Sequence, residues 1–232
     1  MSDAYSSQAA QTAAAAVPSS PSSSPVLAEA APGAPAAAGR KRPKPGERRE
    51  QILRALAMLL EQPEADRITT AALAKHLQVS EAALYRHFAS KAQMFEGLIA
   101  FIEDSLFTLA NQIQAREPDP AQQVARLLAL VLQFAQKNPG MCRVMVGDAL
   151  ILEHARLSVR INQLWDRLES LLRQSHKAVA DARGSLTPTV EAQAAASLAV
   201  SFLLGRLQRF VRSGFQRLPT EHLEASVQQL LR

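Results

Sequence analysis

The sequence is poor in the residues that build cross-links and catalytic loops. Its single cysteine, Cys142, excludes an internal disulfide and a cysteine-based zinc site. Such sparing use of cysteine fits a reducing cytoplasm. Only nine of the 232 residues are glycine, and they form neither a glycine-rich phosphate loop nor the G-x-S-x-G turn of serine esterases. The sequence therefore lacks the signature motifs by which several large enzyme classes are recognised.

The histidines and carboxylates are also too scattered to suggest a catalytic or metal site. The chain has five histidines, and His154 has no second histidine one helical turn away that could share a zinc ion. Adjacent carboxylates such as Glu103 and Asp104 point in different directions on a helix. Because no pattern assembles a nucleophile, a base and an orienting group, we predict a protein that is not an enzyme and that uses no metal or cofactor.

Long apolar runs are missing as well. No window approaches twenty uninterrupted apolar residues, so the sequence predicts no membrane span. Residues 1–39 consist almost entirely of Ala, Ser, Pro, Gln and Gly, with Asp3 and Glu29 as the only charges. This segment lacks a secretory signal pattern, and its few bulky apolar residues cannot offset the entropy lost on ordering. We expect a disordered tail, which leaves about 190 residues for folding.

Positive charge is concentrated at one place in the chain. The formal net charge is +5, and residues 40–54 alone carry seven basic residues against two acidic ones. A basic arm beside a folded domain is typical of a protein that binds a polyanion, although a solubilising linker can have the same composition. We assign residues 1–46 to the tail and its basic arm.

A short helical stretch over residues 80–91 is the strongest sign of function. Ser80 is a good N-cap, and the four-residue spacing of Leu84 and Phe88 lets both face inward. A second short helix is predicted over residues 70–77, with a tight connection between the two. This is helix-turn-helix geometry, in which the second helix enters the major groove of DNA. Taken alone, the stretch could equally be an ordinary short helix with a solvated polar face.

The rest of the chain has helical periodicity and no strand-like alternation, so the predicted fold is all-α. We divide it into a DNA-binding unit over residues 47–92 and a larger helical domain over residues 93–232. Two helices have well-defined apolar stripes, formed by Phe95, Leu98, Ile102, Leu106, Leu109 and Ile113 in the first and by Val124, Leu127, Leu128, Val131, Leu132 and Ala135 in the second. Phe101 and Phe107 lie off the first stripe, where either core packing or a partner-binding surface explains them. A further helical piece is predicted from Met141 to about Leu152.

One predicted helix, from about Thr189 to Gly214, is apolar nearly all round between Ala192 and Leu204. A helix without a polar face has to be covered on both sides. In a chain of this size a second subunit can supply that cover, so we expect a homodimer. The predicted interface residues are Ala195, Leu198, Ala199, Phe202 and Leu203.

Specific motifs resemble a known family. R-I-T-T-A-A-L-A at residues 67–74 and V-S-E-A-A-L-Y-R-H-F at residues 79–88 resemble the TetR family of regulators. Beyond the DNA-binding unit, further segments resemble the SlmA family of nucleoid occlusion factors. These are L-I-A-F-I-E-D-S-L at 98–106, N-P-G at 138–140, R-I-N-Q-L at 160–164 and R-F-V-R-S-G-F at 209–215.

The resemblance implies that the protein binds double-stranded DNA at near-palindromic sites as a dimer, and it leaves open whether several dimers share one site. Tyr85, His87 and Lys91 would contact phosphates, and Thr69 and Thr70 would anchor the first helix of the pair on the backbone. The residues placed to meet base edges are Ser80, Glu81 and Ala82. Further charge for the DNA backbone or minor groove would come from Arg48 and Arg49.

The resemblance also implies a protein partner, the cell-division protein FtsZ, whose ring assembly the DNA-bound form would prevent over the nucleoid in the cytoplasm. The partner-binding residues would be Phe101, Leu130, Lys137 and Asn138. At Leu109 and Gln133 the sequence departs from the family pattern. The alternative is a ligand-responsive TetR-type repressor, whose larger domain would enclose a drug-sized pocket.

Overall fold

The computed structural model describes residues 46–62 and 68–231, and within them the chain is all-helical, as predicted. The first helices are α1 (Glu47–Leu60), α2 (Thr70–His76), α3 (Glu81–Tyr85) and α4 (Lys91–Arg116). They are followed by α5 (Pro120–Lys137), α6 (Pro139–Met145), a 3₁₀ turn (Asp148–Leu150), α7 (Ala155–Ala182), α8 (Pro188–Arg212) and α9 (Leu223–Leu230). The expectations for the tail, for the arm up to Pro45 and for the turn after α1 lie outside the described residues.

Side-chain caps and prolines fix where several helices begin. Thr69, Ser80 and Ser90 each accept a hydrogen bond from a backbone N–H in the first turn of α2, α3 and α4. Asp119 caps α5 in the same way, and Pro120 occupies its first position, where the missing N–H costs nothing. These short-range signals are visible in the sequence, and α2 and α3 begin within one residue of the predicted positions 70 and 80.

A single core joins the DNA-reading helices to the larger domain, because the described residues belong to one compact unit. The apolar stripe predicted on α5 is wholly buried. On α4 the prediction fails at Leu109, which is 46% exposed, while Phe107 is buried with the Arg167 guanidinium over its ring. The latter outcome supports core packing for Phe107.

The helix predicted from Met141 to Leu152 is wrong in its extent. It begins at Pro139 and ends at Met145, and a connector over residues 147–154 leads from it to α7. Gly147, at φ 80°, takes a left-handed conformation that breaks the helix. The Trp165 indole then donates a hydrogen bond of 2.9 Å to the freed carbonyl of Met145. The predicted helix extended too far because the sequence pattern does not show that Gly147 adopts a left-handed conformation.

The two longest C-terminal helices, α7 and α8, pack together more extensively than any other pair. One face of α8 lies in the core through Ala192, Ala196, Ala199 and Leu203. By length and composition α8 could also cross a membrane, although 33% of its most apolar window is buried within the fold. A core helix of a globular protein passes the same test, so this finding is weak evidence for a membrane.

His176 on α7 gives the fold a pH dependence. It is buried, and its Nε2 atom has no hydrogen-bond partner in the described parts of the chain. Burial, with a smaller contribution from the Arg183 charge, lowers the pKa of His176 below its ordinary value of 6.5. The folded state therefore keeps this imidazole neutral, whereas the unfolded chain takes up a proton below about pH 6.5.

The free energy of unfolding is therefore unaffected by His176 above pH 6.5, and it decreases as the pH falls below that value. We expect the thermal unfolding midpoint to drop between pH 7.5 and pH 5.5, and His176→Gln to reduce that drop because the titrating group is gone. Circular dichroism melts across this range measure the effect. His222→Gln, which alters an exposed histidine, is the control. An undiminished pH dependence in the His176 variant would contradict the assignment.

Candidate nucleic-acid interface

The candidate reader is the pair α2–α3, and a short turn with one left-handed residue sets its geometry. Gln78 has φ 54°, and the Val79 N–H donates back to the Ala74 carbonyl at 3.0 Å. Beneath the turn, Leu73, Leu84 and Phe88 are almost completely buried. The pair is thus held on the core while its polar residues remain outside.

A hydrogen bond between side chains locks the two helices to each other. The Thr70 hydroxyl donates to the Glu81 carboxylate at 2.6 Å, which joins the start of α2 to the start of α3. Both residues were predicted to contact DNA, and what the structure shows is that they hold the two helices to each other. Ser80, Ala82, Tyr85 and His87 are exposed at or just after α3, so solvent and a ligand can reach them.

Arg49, which was predicted to supply charge to the DNA, has partners within the protein. Its guanidinium donates to the His87 carbonyl at 2.9 Å and lies 4.1 Å from the centroid of the Phe88 ring. Arg49 therefore ties α1 to the end of α3. Arg48 donates to the Gln51 side chain at 2.9 Å on its own helix. Sequence reasoning assigned both residues charge alone and missed the structural contacts of Arg49.

We expect Arg49→Lys to separate charge from structure. Lysine keeps the positive charge but loses the planar fork that bonds a carbonyl and stacks on an aromatic ring. The free energy of unfolding should fall by about 0.5–1 kcal/mol, the usual range for an exposed cation–π contact. The salt dependence of DNA binding should stay unchanged. Denaturant melts and salt titrations measure the two effects, with Arg48→Lys as the matched control; equal stability losses in both variants would contradict this role.

The first residue of α4, Lys91, was predicted to contact a phosphate, yet its ammonium is paired with the Glu153 carboxylate of the connector. The helix start is held by Ser90, which accepts from the Gln93 N–H at 3.2 Å, and by the Gln93 side chain, which accepts from the Ala89 N–H at 2.9 Å. The S-x-x-Q spacing is that of a capping box, except that the Gln93 side chain accepts from Ala89 instead of the N-cap Ser90, and our prediction did not use this signal.

The residues predicted to bind the protein partner lie on two adjacent helices. Phe101 on α4 is 50% exposed, and Leu130 is half-buried on α5, which packs beside α4. At the end of α5, Lys137 is exposed and Asn138 donates to the Phe134 carbonyl at 2.8 Å. Leu130 is therefore less exposed than its position off the stripe suggested.

The predicted dimer residues divide into two groups. Leu198 is exposed, and Ala195 and Phe202 are half-buried, so these three remain candidates for a subunit interface. Ala199 and Leu203 are completely buried inside the protomer. Their assignment to the interface is wrong, because they form the face of α8 that packs into the protomer's own core.

Comparison with known proteins identifies the family. A model described as "Bacterial regulatory proteins, tetR family" matches residues 52–98, and one described as "Tetracyclin repressor-like, C-terminal domain" matches residues 119–232. The nucleoid occlusion factor SlmA of Idiomarina loihiensis is 49% identical over 183 residues, which cover 78% of this chain and 92% of that protein. The chain belongs to the SlmA family of nucleoid occlusion factors. SlmA of Vibrio vulnificus is similarly related, with 50% identity over 182 residues and the same coverage of both chains.

Solved structures place the SlmA family member in the TetR fold. The fatty acid degradation regulator FadR from Bacillus halodurans matches with a TM-score of 0.67 and 16% identity, over 82% of this chain and 97% of that one. The TetR family regulator PfmR from Thermus thermophilus matches with a TM-score of 0.64 and 22% identity, over 78% and 97%. At these identities the likeness shows the fold alone, and it confirms the all-α, TetR-like expectation.

Proposed function

We propose that the protein binds near-palindromic chromosomal sites as a homodimer and, when bound to DNA, prevents FtsZ from assembling a division ring over the nucleoid. The observation that carries the proposal is the family relationship: identity of about half spans both the reader and the larger domain in proteins named nucleoid occlusion factors. The site of action would be the cytoplasm, at the nucleoid.

The exposed positions of the reader support DNA binding. Ser80, Ala82 and Tyr85 project from a short helix anchored by Leu84, and the Thr70–Glu81 hydrogen bond sets its angle to α2. An alanine methyl at position 82 is suited to contact a thymine methyl in the major groove. Phosphate contacts from Lys91 and His87, together with charge from Arg48, would position the reader on the duplex.

The exposed aromatic of α4 supports a partner surface beside α5. The half-exposed Phe101 on α4 and the half-buried Leu130 on the adjacent α5 both offer apolar surface, and exposed Lys137 adds a positive charge at the end of α5. Such a combination suits an extended peptide with apolar and acidic residues, which we propose FtsZ supplies. Leu109 extends the apolar part of this surface along α4.

The alternative of a ligand-responsive repressor has less support from the interior of the larger domain. The space between α5, α7 and α8 is filled by fully buried side chains, among them Leu132, Leu164 and Leu203. A groove of about 560 Å³ does occur between α7 and α8, but the exposed residues Ser158, Asn162 and Asp166 form part of its lining. That groove suits a neighbouring subunit better than an enclosed small molecule.

Mixing purified protein with FtsZ and GTP, with and without a duplex selected from random DNA, tests the proposal. We expect DNA-bound protein to lower the amount of sedimenting FtsZ polymer and DNA-free protein to do so much less. Phe101→Glu should abolish the effect while leaving DNA binding intact. Val159→Glu alters a similarly exposed apolar residue on α7 and serves as the control. Polymer levels that do not respond to DNA-bound protein would contradict the proposed function.

A further inference from the structure

Lys91 is held by a carboxylate that comes from far along the chain. Its ammonium pairs with Glu153, 62 residues later, in the connector that precedes α7. The side chains of the two residues are only 24% and 14% exposed, so most of each is withdrawn from solvent. The Lys91 ammonium also lies 5.7 Å from the centroid of the Phe95 ring.

The pair sits at the junction between the reader and the larger domain. Lys91 is the first residue of α4 and follows the reader helix α3 after five residues. A phosphate and a carboxylate make the same kind of charged hydrogen bond to an ammonium. If a DNA phosphate binds the Lys91 ammonium, as the proposed function requires, the hydrogen bond between Lys91 and Glu153 has to break or the ammonium has to bond both groups.

We propose that Glu153 is an internal competitor for the DNA phosphate, and that DNA binding exchanges the Lys91–Glu153 ion pair for a Lys91–phosphate contact and releases the connector. This inference rests on the proposed DNA binding. Leaving a largely buried carboxylate in place without its cation costs much free energy, because its charge is then neither paired nor hydrated. Glu153 therefore moves toward water, and the exposed end of the connector, residues 151–154, moves with it.

The surroundings of Glu153 favour movement over a change of partner. The neighbouring cations are already engaged: Arg143 is paired with Asp148 at 2.6 Å, and Arg156 with Glu96 at 2.6 Å. Glu153 lines a cleft of about 240 Å³ whose other walls include Phe95 and Leu152. Within the connector, Leu150 is buried in the core, whereas Ile151 and Leu152 after it are 76% and 70% exposed, so little apolar packing holds residues 151–154 in place.

Two further ion pairs along the α4–α7 seam have the opposite polarity. Glu96 pairs with Arg156, and Glu103 pairs with Arg160 at 2.7 Å, so in both cases the acid lies on α4 and the base on α7. In these two pairs the cation belongs to α7, so α4 itself offers no cation there to a DNA phosphate. Of these three described pairs, only Lys91–Glu153 has its cation on α4, at the end of the helix that is proposed to face DNA. Glu103 therefore provides a matched control.

A double-mutant cycle tests the competition. Glu153→Gln, Lys91→Ala and the double variant of the full chain are titrated against a fluorescent duplex selected from random DNA, at several KCl concentrations. We expect Glu153→Gln to bind roughly threefold to tenfold more tightly, in line with the modest strength of such pairs. The same substitution should have no effect in the Lys91→Ala background, because the competed cation is absent. Lys91→Ala should weaken binding and reduce the salt slope by about 0.9 per protomer.

The controls distinguish competition from a general loss of negative charge. Glu103→Gln removes an equal charge from the same seam and should leave the DNA affinity within about twofold, since an ion pair away from the phosphate contributes little to binding. Equal tightening by Glu153→Gln with and without Lys91, or no tightening at all, would overturn the inference while the proposed function stands. Failure of the wild type to bind any duplex would overturn both. Thermal melts establish that each variant is folded.

A probe on the connector tests its release. Leu152→Cys places a thiol at an exposed position, and the native Cys142 does not interfere because burial raises the pKa of its thiol to about 12. An environment-sensitive dye at residue 152 should change its emission when the selected duplex is added. In a Leu152→Cys, Glu153→Gln chain the emission should already have the DNA-bound value before DNA is added. Emission that changes neither on addition of DNA nor in the Glu153→Gln background would refute the release of the connector.

Discussion

Replacing Gly140 with alanine should loosen the docking of α1 on the larger domain and weaken DNA binding. A Cβ atom at this position would lie 2.0 Å from the Ala57 carbonyl oxygen and 2.9 Å from its carbonyl carbon, both backbone atoms of α1. No side-chain rotation relieves such a contact, so α1 or α6 has to shift. Because Arg49 ties α1 to the end of α3, the shift reaches the reader.

We expect Gly140→Ala to lower the free energy of unfolding by about 1–3 kcal/mol or more, the range for overpacking a close contact. DNA affinity should fall with it, because the reader loses its fixed position. Thermal melts and duplex titrations measure both effects. Pro139→Ala changes the same turn without adding an atom against α1, and it should cost about 1 kcal/mol or less. A Gly140→Ala protein with the stability and DNA affinity of the wild type would refute this role.

This close approach also places the DNA-reading unit next to the proposed partner surface. Gly140 lies two residues after Asn138, the single residue between α5 and α6. A second link is made by the Arg143 guanidinium of α6, which donates to the Leu60 carbonyl at the end of α1 at 3.4 Å. A displacement of α1 on DNA therefore bears directly on the end of α5, where Lys137 and Asn138 lie.

Local sequence signals predicted most of the fold because their physics is local. The caps at Thr69, Ser80 and Ser90 satisfy backbone donors within three residues, and the apolar stripe of α5 needs only a period of 3.6 residues. In both cases the interacting residues lie within one or two helical turns of each other in the sequence. The predicted residues of the reader are exposed or half-buried, and their contact with DNA stays a prediction.

The remaining details depend on contacts between distant residues. Periodicity could not reveal that Glu153 holds Lys91, or that the His87 carbonyl and the Phe88 ring hold Arg49, since neither partner lies within one helical turn. On α8 the apolar residues surround the helix, so periodicity could not distinguish the core face from the outer face. That ambiguity is why Ala199 and Leu203 were assigned to the wrong side.

The proposed dimer gives the second large effect, through the outer face of α8. Leu198 is 57% exposed and lies on the side of the helix opposite the buried Ala196 and Leu203, flanked by the half-buried Phe202. An arginine here costs the isolated protomer little, because its charge can stay in water. Between two copies of α8 it would bury two unpaired like charges, which is strongly unfavourable. Leu198→Arg should therefore yield a folded monomer.

The monomer should bind a near-palindromic site far more weakly. When two readers are joined, the second half-site is bound intramolecularly, and loss of that linkage lowers apparent affinity by about 10²–10⁴-fold. Sedimentation velocity gives the mass, and duplexes with one or two half-sites give the affinities, which should become nearly equal for the variant. Leu186→Arg makes the same change at a loop position that is 99% exposed and should leave both properties unaltered. A Leu198→Arg protein that sediments as a dimer would place the subunit contact elsewhere.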